Sequence, residues 1–178
     1  MARAEASSGL ILIGWREWLA LPDLGIAAIK TKIDTGARSS ALHVEDLREF
    51  AQQGQRMVRF RLAPGSRRSR RHQVVESPIA DERLVTDSGG NRALRPFIQT
   101  RVALGPWSWL VEINLTDRRS MLFPMLLGRS AIKGRAMVDP RVSFALGRPS
   151  LRAESRFAAE HVAAGAVIVP ALKQRGSS

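Results

Sequence analysis

The sequence predicts an all-β domain whose strands close, or nearly close, into a barrel, and three observations favour this fold class. Apolar and polar residues alternate along short segments, which is the pattern of half-buried strands. Glycine and proline turns separate these segments, and helical periodicity is scarce. Hydrophobic residues make up 44% of the 178 residues, which is enough to build a core.

The first half of the chain contains the clearest strand patterns. Residues 10–21 form an apolar run that ends at Pro22-Asp23-Leu24-Gly25, where proline and glycine occupy positions typical of a β-turn. Residues 26–33 and 57–62 alternate between apolar and polar side chains, so we predict a strand at each. Between them, residues 42–53 are predicted to hold one short helix.

The second half continues the pattern. Residues 96–104 and 107–115 flank Gly105-Pro106, which predicts a β-hairpin. Three further apolar segments are predicted strands: residues 121–127, 136–139 and 142–146. A single helical turn is predicted at residues 130–133, and the alanine-rich residues 153–164 have the apolar spacing of a helix.

We divide the chain into three parts: a flexible N-terminus at residues 1–9, one β-domain at residues 10–150, and a C-terminal extension at residues 151–178 that is either partly helical or disordered. The apolar run near the N-terminus is too short for a signal peptide or a membrane span. Cysteine is absent, which excludes a cysteine nucleophile and fits a reducing compartment. We therefore expect a cytoplasmic protein that does not associate with a membrane.

The charge balance points to an acidic partner. The chain has 28 lysines and arginines against 16 acidic residues, a net charge of +12. Such a surplus favours an acidic peptide or protein, with nucleic acid as the less favoured alternative. Residues 66–72 carry four arginines and no apolar residue. This segment is predicted to be a solvated loop, either a plain hairpin tip or a clamp for an acidic ligand.

The tetrapeptide Asp34-Thr35-Gly36-Ala37 places a carboxylate directly after the strand predicted at residues 26–33. A buried strand end would fix the aspartate in a partly desolvated position, and glycine lets another backbone approach closely. An aspartate and a glycine after a strand also form an ordinary turn, so the tetrapeptide alone does not define a site.

Paired aspartates would provide a specific chemistry. Two carboxylates about 3 Å apart share one proton, because both cannot be ionised at that distance. The ionised carboxylate takes a proton from water while the protonated one polarises a peptide carbonyl. Neither a metal ion nor a serine or cysteine nucleophile is required.

A second motif follows later in the chain, where the apolar segment Met125-Leu126-Leu127 runs into Gly128-Arg129-Ser130. Six segments together resemble, in order and spacing, a bacterial retropepsin-like family often labelled "ATP-dependent zinc protease": residues 13–18, 32–38 and 41–43, Asp87-Ser88-Gly89-Gly90, residues 125–129 and Val138-Asp139-Pro140. The resemblance extends over roughly residues 10–148.

This resemblance implies a retropepsin-like fold and an aspartic endopeptidase active as a homodimer. Asp34 of each chain would form the catalytic pair, with Thr35 and Gly36 beside it. Members of the family are often associated with ligases that add glutamates to a ribosomal protein. The resemblance therefore implies an acidic protein substrate that carries a glutamate tail.

Other residues acquire expected roles from the same resemblance. Five are expected to contact the substrate: Ala37, Arg38, His43, Gly89 and Gly90. A structural role is the alternative for His43, as for most single histidines. Gly128, Arg129 and Asp139 are expected to support the site. In retropepsins the position of Arg38 is commonly an aspartate that pairs with the arginine of the Gly-Arg motif. We therefore expect Arg129 to pair with Asp139 or Glu112, and Arg38 to face an acidic substrate.

Asp87-Ser88-Gly89 is a second sequence of the D-[ST]-G type. It lies too close to the first one for the two lobes of a pepsin-like chain, and the following Gly90-Asn91 is typical of a turn. We predict a hairpin tip at this position, with a flap over the site as its functional interpretation.

No cofactor or metal is predicted, in spite of the family label. Zinc catalysis requires about three protein ligands, whereas the only histidines are His43, His72 and His161, without an H-E-x-x-H sequence. A phosphate-binding G-x-x-x-x-G-K-[ST] loop is also absent. Two alternatives to a peptidase are a catalytically silent β-barrel that binds acidic protein or RNA through its arginines, and a structural partner of a ligase complex.

Overall fold

The structure is a computed structural model that describes residues 9–63, 73–87, 89–117 and 122–148. Within these ranges the chain is mostly β, as predicted, with a 3₁₀ turn at Pro22–Leu24. The strands are β1 (Ile11–Gly14), β2 (Arg16–Leu21), β3 (Ile26–Asp34), β4 (Ser40–His43), β5 (Glu45–Gln52), β6 (Gln55–Leu62), β7 (Gln73–Pro78), β8 (Asp81–Thr86), β9 (Arg92–Leu104), β10 (Trp107–Thr116), β11 (Met125–Gly128) and β12 (Ala136–Asp139). The helix α1 (Arg129–Ile132) follows β11 directly, which confirms the helical turn predicted after the Gly-Arg sequence.

Most strands belong to one sheet that closes into a ring. Its order is β10-β4-β11-β3-β2-β9-β8, and β9 also pairs with β10. The strand β9 is long enough for both tasks, since residues 92–97 pair with β8 and residues 97–104 pair with β10. The pairing of Leu104 with Trp107 confirms the predicted hairpin around Gly105. The ring brings β3 and β11 side by side as parallel neighbours.

Two smaller sheets complete the fold. The strands β5, β6 and β7 form an antiparallel sheet, and β1 pairs with β12 in parallel. The core lies inside the ring and under the three-stranded sheet, where a single cluster of buried apolar side chains joins them.

The alternation read from the sequence is confirmed in β3 and β6. In β3, Ile29, Thr31 and Ile33 are at most 5% exposed, whereas Lys30 is exposed. The apolar face of residues 57–62 is buried in the same way. Alternation with a period of two therefore predicted both the strands and their inward faces correctly.

The helix predicted at residues 42–53 is wrong, because β4 and β5 occupy this segment. Leu42 is fully buried and pairs with Leu115 on one side and Met125 on the other. The strand β5 then returns through a turn at Gln53-Gly54 to pair with β6. Partners distant in the sequence stabilise β4, and the hairpin with β6 stabilises β5, so the local spacing of apolar residues was misleading.

The strand predicted at residues 142–146 is also wrong. The segment is irregular, and Phe144 has a φ of +54°, which lies outside the strand region. Backbone N–H groups of this segment bind the carboxylate of Glu17, which is fully buried. Oε1 of Glu17 accepts the N–H of Ala145 at 2.9 Å and that of Gly14 at 2.7 Å. This buried carboxylate therefore accepts backbone hydrogen bonds that the carbonyl groups of a neighbouring strand would otherwise accept.

Two predicted features, the arginine-rich loop at residues 66–72 and the helix at residues 153–164, lie outside the described residues. The strand predicted at residues 121–127 is observed as β11, which begins at Met125. In the part of the chain that the structure describes, no helix has the length and apolar character needed to cross a bilayer.

Candidate active site

Asp34 is the last residue of β3, which lies between β2 and β11 in the ring. The preceding residue, Ile33, is buried in the core. The side chain of Asp34 is 24% exposed, so its carboxylate lies at the boundary between the core and solvent.

Both carboxylate oxygens of Asp34 are hydrogen-bonded within the chain. Oδ1 accepts the backbone N–H of Gly36 at 3.2 Å and that of Ala37 at 3.1 Å. Oδ2 accepts a hydrogen bond from Lys32 Nζ at 3.1 Å. Burial by itself raises the pKa of the Asp34 carboxyl, but the Lys32 ammonium and the two N–H donors outweigh it and lower the pKa below its ordinary value. The isolated chain therefore holds an ionised carboxylate in a fixed orientation.

Lys32 was not among the residues expected at the site. Residues two apart in a strand point to the same face, so Lys32 lies beside Asp34 on β3. This spacing was present in the sequence and was the signal that could have identified the contact.

Gly128 allows the chain that follows Asp34 to pass close to β11. The parallel register places Gly128 directly beside Asp34. A Cβ atom at this glycine would overlap the carbonyl group of Ser39 and lie 2.9 Å from Ser40 N. The N–H of Gly128 donates to Ser40 Oγ at 3.1 Å, which fixes the same approach. Glycine is therefore required at this position by packing.

The first residues of α1 hold the turn after Asp34. The N–H of Arg129 donates to the carbonyl of Ala37 at 2.8 Å, and the N–H of Ser130 donates to the carbonyl of Arg38 at 3.0 Å. The hydroxyl of Ser130 donates to the same Arg38 carbonyl at 2.7 Å. Because N–H groups at the start of a helix have no acceptor within the helix, they are available for this contact.

The expectation that Arg129 pairs with Asp139 or Glu112 is wrong. Nη1 of Arg129 donates to the backbone carbonyl of Thr35 at 2.9 Å. The guanidinium of Arg141 binds Asp139 and lowers the pKa of that carboxyl to about 2. Glu112 instead accepts a hydrogen bond from Arg83 at 2.9 Å. A carbonyl replaces the missing carboxylate partner, so Arg129 still binds the turn that carries Asp34.

A cleft of about 840 Å³ adjoins Asp34. Its lining comes mainly from the turn after Asp34 and from the hairpin formed by β8 and β9. The charged residues of the lining are Asp34, Arg38, Arg83, Asp87, Arg95 and Glu112. This volume lies in the range of natural ligand sites, and the lining carries three arginines and three carboxylates.

The second D-[ST]-G sequence lies on the same cleft. Asp87 follows β8 and lines the cleft, and the chain then turns into β9, so the predicted hairpin tip is confirmed. Oδ1 of Asp87 accepts the N–H of Gly89 at 2.8 Å and that of Asn91 at 3.0 Å. Gly89 and Gly90 are exposed at this tip and do not line the cleft themselves.

The remaining residues expected to bind substrate fall into two groups. Ala37 and Arg38 line the cleft. His43 does not line the cleft. It is the last residue of β4, and its backbone N–H donates to the carbonyl of Pro124. Among the residues that the structure describes, no three histidine or carboxylate side chains are grouped so that they could hold a metal ion.

Asn114 is a buried polar residue beneath the cleft that no sequence motif indicated. It is 1% exposed, and its Nδ2 donates to the carbonyl of Ser40 at 2.6 Å. Its Oδ1 accepts a hydrogen bond from Arg95 Nη1 at 3.2 Å. Asn114 therefore connects the chain after the Asp34 turn with a cationic residue of the cleft lining.

An all-β ring with an aspartate-glycine turn at a strand end, held by a Gly-Arg segment of the parallel neighbouring strand, is the arrangement expected of a retropepsin-like aspartic peptidase. Residues 12–149 match the model of the family described as RimB-like, retropepsin-like aspartic endopeptidase RimB. The chain belongs to this family.

Similar curated proteins are named as ligases and not as peptidases. A protein of Shewanella pealeana is 40% identical over 141 residues, and one of Desulfotalea psychrophila is 38% identical over 141 residues. Both are called "probable alpha-L-glutamate ligase". The matches cover 79% and 78% of this chain but only 31% and 30% of those proteins. The chain thus spans about a third of the length of these ligases.

A solved structure shares the fold. The Legionella pneumophila protein Lpg0085, of unknown function, is 28% identical and superposes with a TM-score of 0.65. The similarity covers 78% of this chain and 99% of that one.

Proposed function

We propose that this protein is an aspartic endopeptidase that is active as a homodimer, with Asp34 of each chain forming the catalytic pair. The observation that carries the proposal is the position of Asp34, an oriented carboxylate at a strand end beside a cleft of about 840 Å³. Membership in a family of aspartic endopeptidases supports the same chemistry.

The turn after Asp34 has features that suit a second chain. Thr35 and Gly36 are exposed, so both are accessible to a partner or a substrate. A Cβ atom on Gly36 would meet only Asp34 Oδ1, at 3.4 Å, which is ordinary contact. Packing within the described chain therefore does not require glycine at this position, whereas a closely approaching backbone would.

In the proposed reaction the two aspartates share one proton. The ionised Asp34 takes a proton from water as the water oxygen attacks the peptide carbonyl carbon. The protonated Asp34 of the partner subunit donates a hydrogen bond to the carbonyl oxygen, where negative charge develops. When the C–N bond breaks, Asp34 gives the proton that it took from water to the leaving amine and is ionised again.

We infer that the substrate is acidic and contains glutamate. Arg38 is exposed on the cleft, and within the described part of the chain its guanidinium makes no ion pair. Arg83, by contrast, already binds Asp81 and Glu112. Arg38 is therefore the cation best placed for a substrate carboxylate. The glutamate-ligase name of the longer relatives suits a peptidase that acts on glutamate-containing chains.

The proposal is tested by mass spectrometry of peptides with and without an oligoglutamate tail, incubated with wild-type and Asp34→Asn protein. We expect wild type to cleave the tailed peptide and Asp34→Asn to leave it intact, at equal folded content by circular dichroism. Cleavage by both proteins would refute the assigned catalytic residue.

Replacing Arg38 tests the substrate class. Arg38→Ala should reduce the preference for acidic over neutral peptides by about tenfold in kcat/KM, because a charge-assisted hydrogen bond is lost. Arg135→Ala is the matched control, since Arg135 is also exposed but does not line the cleft. An unchanged preference in Arg38→Ala would contradict the role proposed for this arginine.

The second candidate is a silent module that presents acidic chains to a ligase. The ligase name of the relatives favours it, since the matched part is only about a third of their length. Affinity for oligoglutamate that is equal in wild type and Asp34→Asn, without cleavage by either, would support this candidate. An affinity for RNA that falls steeply as the salt concentration rises, and that is the same in wild type and Asp34→Asn, would instead indicate nucleic-acid binding.

A further inference from the structure

Lys32 contacts the one oxygen of Asp34 that the turn leaves available. Oδ1 is occupied by the N–H groups of Gly36 and Ala37, and Oδ2 lies 3.1 Å from Lys32 Nζ. The lysine side chain is 43% exposed, so the contact lies where solvent and a second chain can reach it. If a second aspartate approaches Asp34 to share a proton, it does so beside this ammonium group.

Other charged groups line the cleft beside Asp34 or lie on the elements next to it. They are Arg38 after the turn, Arg83 and Asp87 with β8, Arg95 of β9, Glu112 of β10, Arg129 of α1 and Arg16 of β2, which is in register with Lys32. Arg83 and Glu112 bind each other, and Arg129 binds the carbonyl of Thr35. Lys32 is the cation that contacts the Asp34 carboxylate directly.

A catalytic pair of aspartates works only while it holds a single proton. A cation in contact with a carboxylate stabilises the ionised form and so favours loss of that proton. We propose that Lys32 is a positioning residue that keeps the Asp34 pair in its singly protonated state at lower pH than two aspartates alone would allow. This inference rests on the peptidase function proposed above.

The competing interpretation is an ordinary surface ion pair. Exposed pairs of this kind often contribute little to folding, and such a pair would leave catalysis unaffected once the dimer forms. The two interpretations differ in the pH dependence of cleavage, which a merely structural contact would not alter.

The test compares the pH profile of kcat/KM in wild type, Lys32→Gln and Lys32→Arg. Removing the cation should move both limbs of the profile to higher pH by about one unit, because each carboxyl then binds its proton more tightly. Lys32→Arg should retain the wild-type profile. A profile of Lys32→Gln that superposes on that of wild type would overturn the inference.

Lys30→Gln is the matched control. Lys30 lies on the same face of β3, two residues before Lys32, and its Nζ packs over the ring of Trp18 at 5.3 Å. Lys30→Gln changes the net charge by the same amount as Lys32→Gln but removes no contact with Asp34. Equal shifts in both glutamine variants would show a general charge effect and would also overturn the inference.

An NMR titration of the Asp34 carboxyl, assigned with Asp34→Asn, separates this inference from the proposed function. Lys32→Gln should raise the midpoint of that titration, and Lys30→Gln should leave it in place. If wild type cleaves no peptide, the peptidase proposal fails, and the titration alone then tests whether Lys32 lowers the pKa of Asp34. An Asp34 midpoint that does not respond to Lys32→Gln would then refute the contact itself.

Discussion

The two D-[ST]-G turns of this chain share a local chemistry and differ in their surroundings. In each, an aspartate Oδ1 accepts two backbone N–H groups of the following turn, from Gly36 and Ala37 after Asp34 and from Gly89 and Asn91 after Asp87. The short polar side chain of aspartate forms this contact wherever a strand ends in such a turn.

The surroundings separate the two turns. The Asp87 turn joins adjacent antiparallel strands. The backbone N–H of Asp87 donates to the carbonyl of Asn91, so the hairpin closes within five residues of sequence. The Asp34 turn follows β3 and leads to β4, on the far side of β11 in the ring, and it is held by Gly128 and Arg129. The comparison shows that a local motif becomes a candidate site only when distant residues hold it in place.

The largest expected effect concerns catalysis. Asp34→Asn should reduce cleavage of an acidic peptide by at least about 1,000-fold, because the substitution removes both carboxylates of the pair in a homodimer. Asp87→Asn should retain cleavage within about tenfold, since we assign the second carboxylate to Asp34 of the partner subunit. Rates from peptide mass spectrometry measure both. Asp87 lines the same cleft as Asp34. If both variants lost cleavage completely, Asp87 would be the second carboxylate of a pair formed within one chain.

The next effect concerns stability. Gly128→Ala should lower the free energy of unfolding by about 3 kcal/mol or more, because the new Cβ overlaps the Ser39 backbone, which cannot easily move. Gly90→Ala should cost only about 1 kcal/mol, since its φ is +83° but no atom lies within 4 Å of the added Cβ. Urea unfolding followed by circular dichroism provides both values. A smaller cost at Gly128 would mean that the Asp34 turn is less tightly held than the contacts indicate.

The smallest effect concerns pH. The pKa of Asp34 is lower in the folded chain than its ordinary value of 3.8, so the folded state binds this proton less readily than the unfolded state. The stabilisation is therefore present above about pH 4 and is lost as the pH falls through the lowered folded value. The difference in unfolding free energy between wild type and Asp34→Asn should shrink between about pH 6 and about pH 3. A difference that stays constant would contradict an ionised, hydrogen-bonded Asp34.

The alternation of apolar residues was sufficient to predict β3, β6 and the hairpin around Gly105, with their buried faces. These elements follow short-range rules of strand geometry and turn chemistry. The segments at residues 42–53 and 142–146 were predicted wrongly. Pairing with distant strands made residues 42 and 43 extended, and the hairpin with β6 did the same for β5. The buried carboxylate of Glu17 held residues 142–146 in an irregular path.

The amino-acid pattern was enough to predict a mainly β chain, a carboxylate at the end of a strand, and a Gly128-Arg129 segment of the same motif set. The groups that meet around the carboxylate followed from the closed fold. It placed Asp87 on the cleft beside Asp34, gave Arg129 a carbonyl partner and brought Asn114 beneath the turn. The physical reason is that turns and alternation depend on neighbouring residues, whereas these contacts depend on how the ring of strands closes.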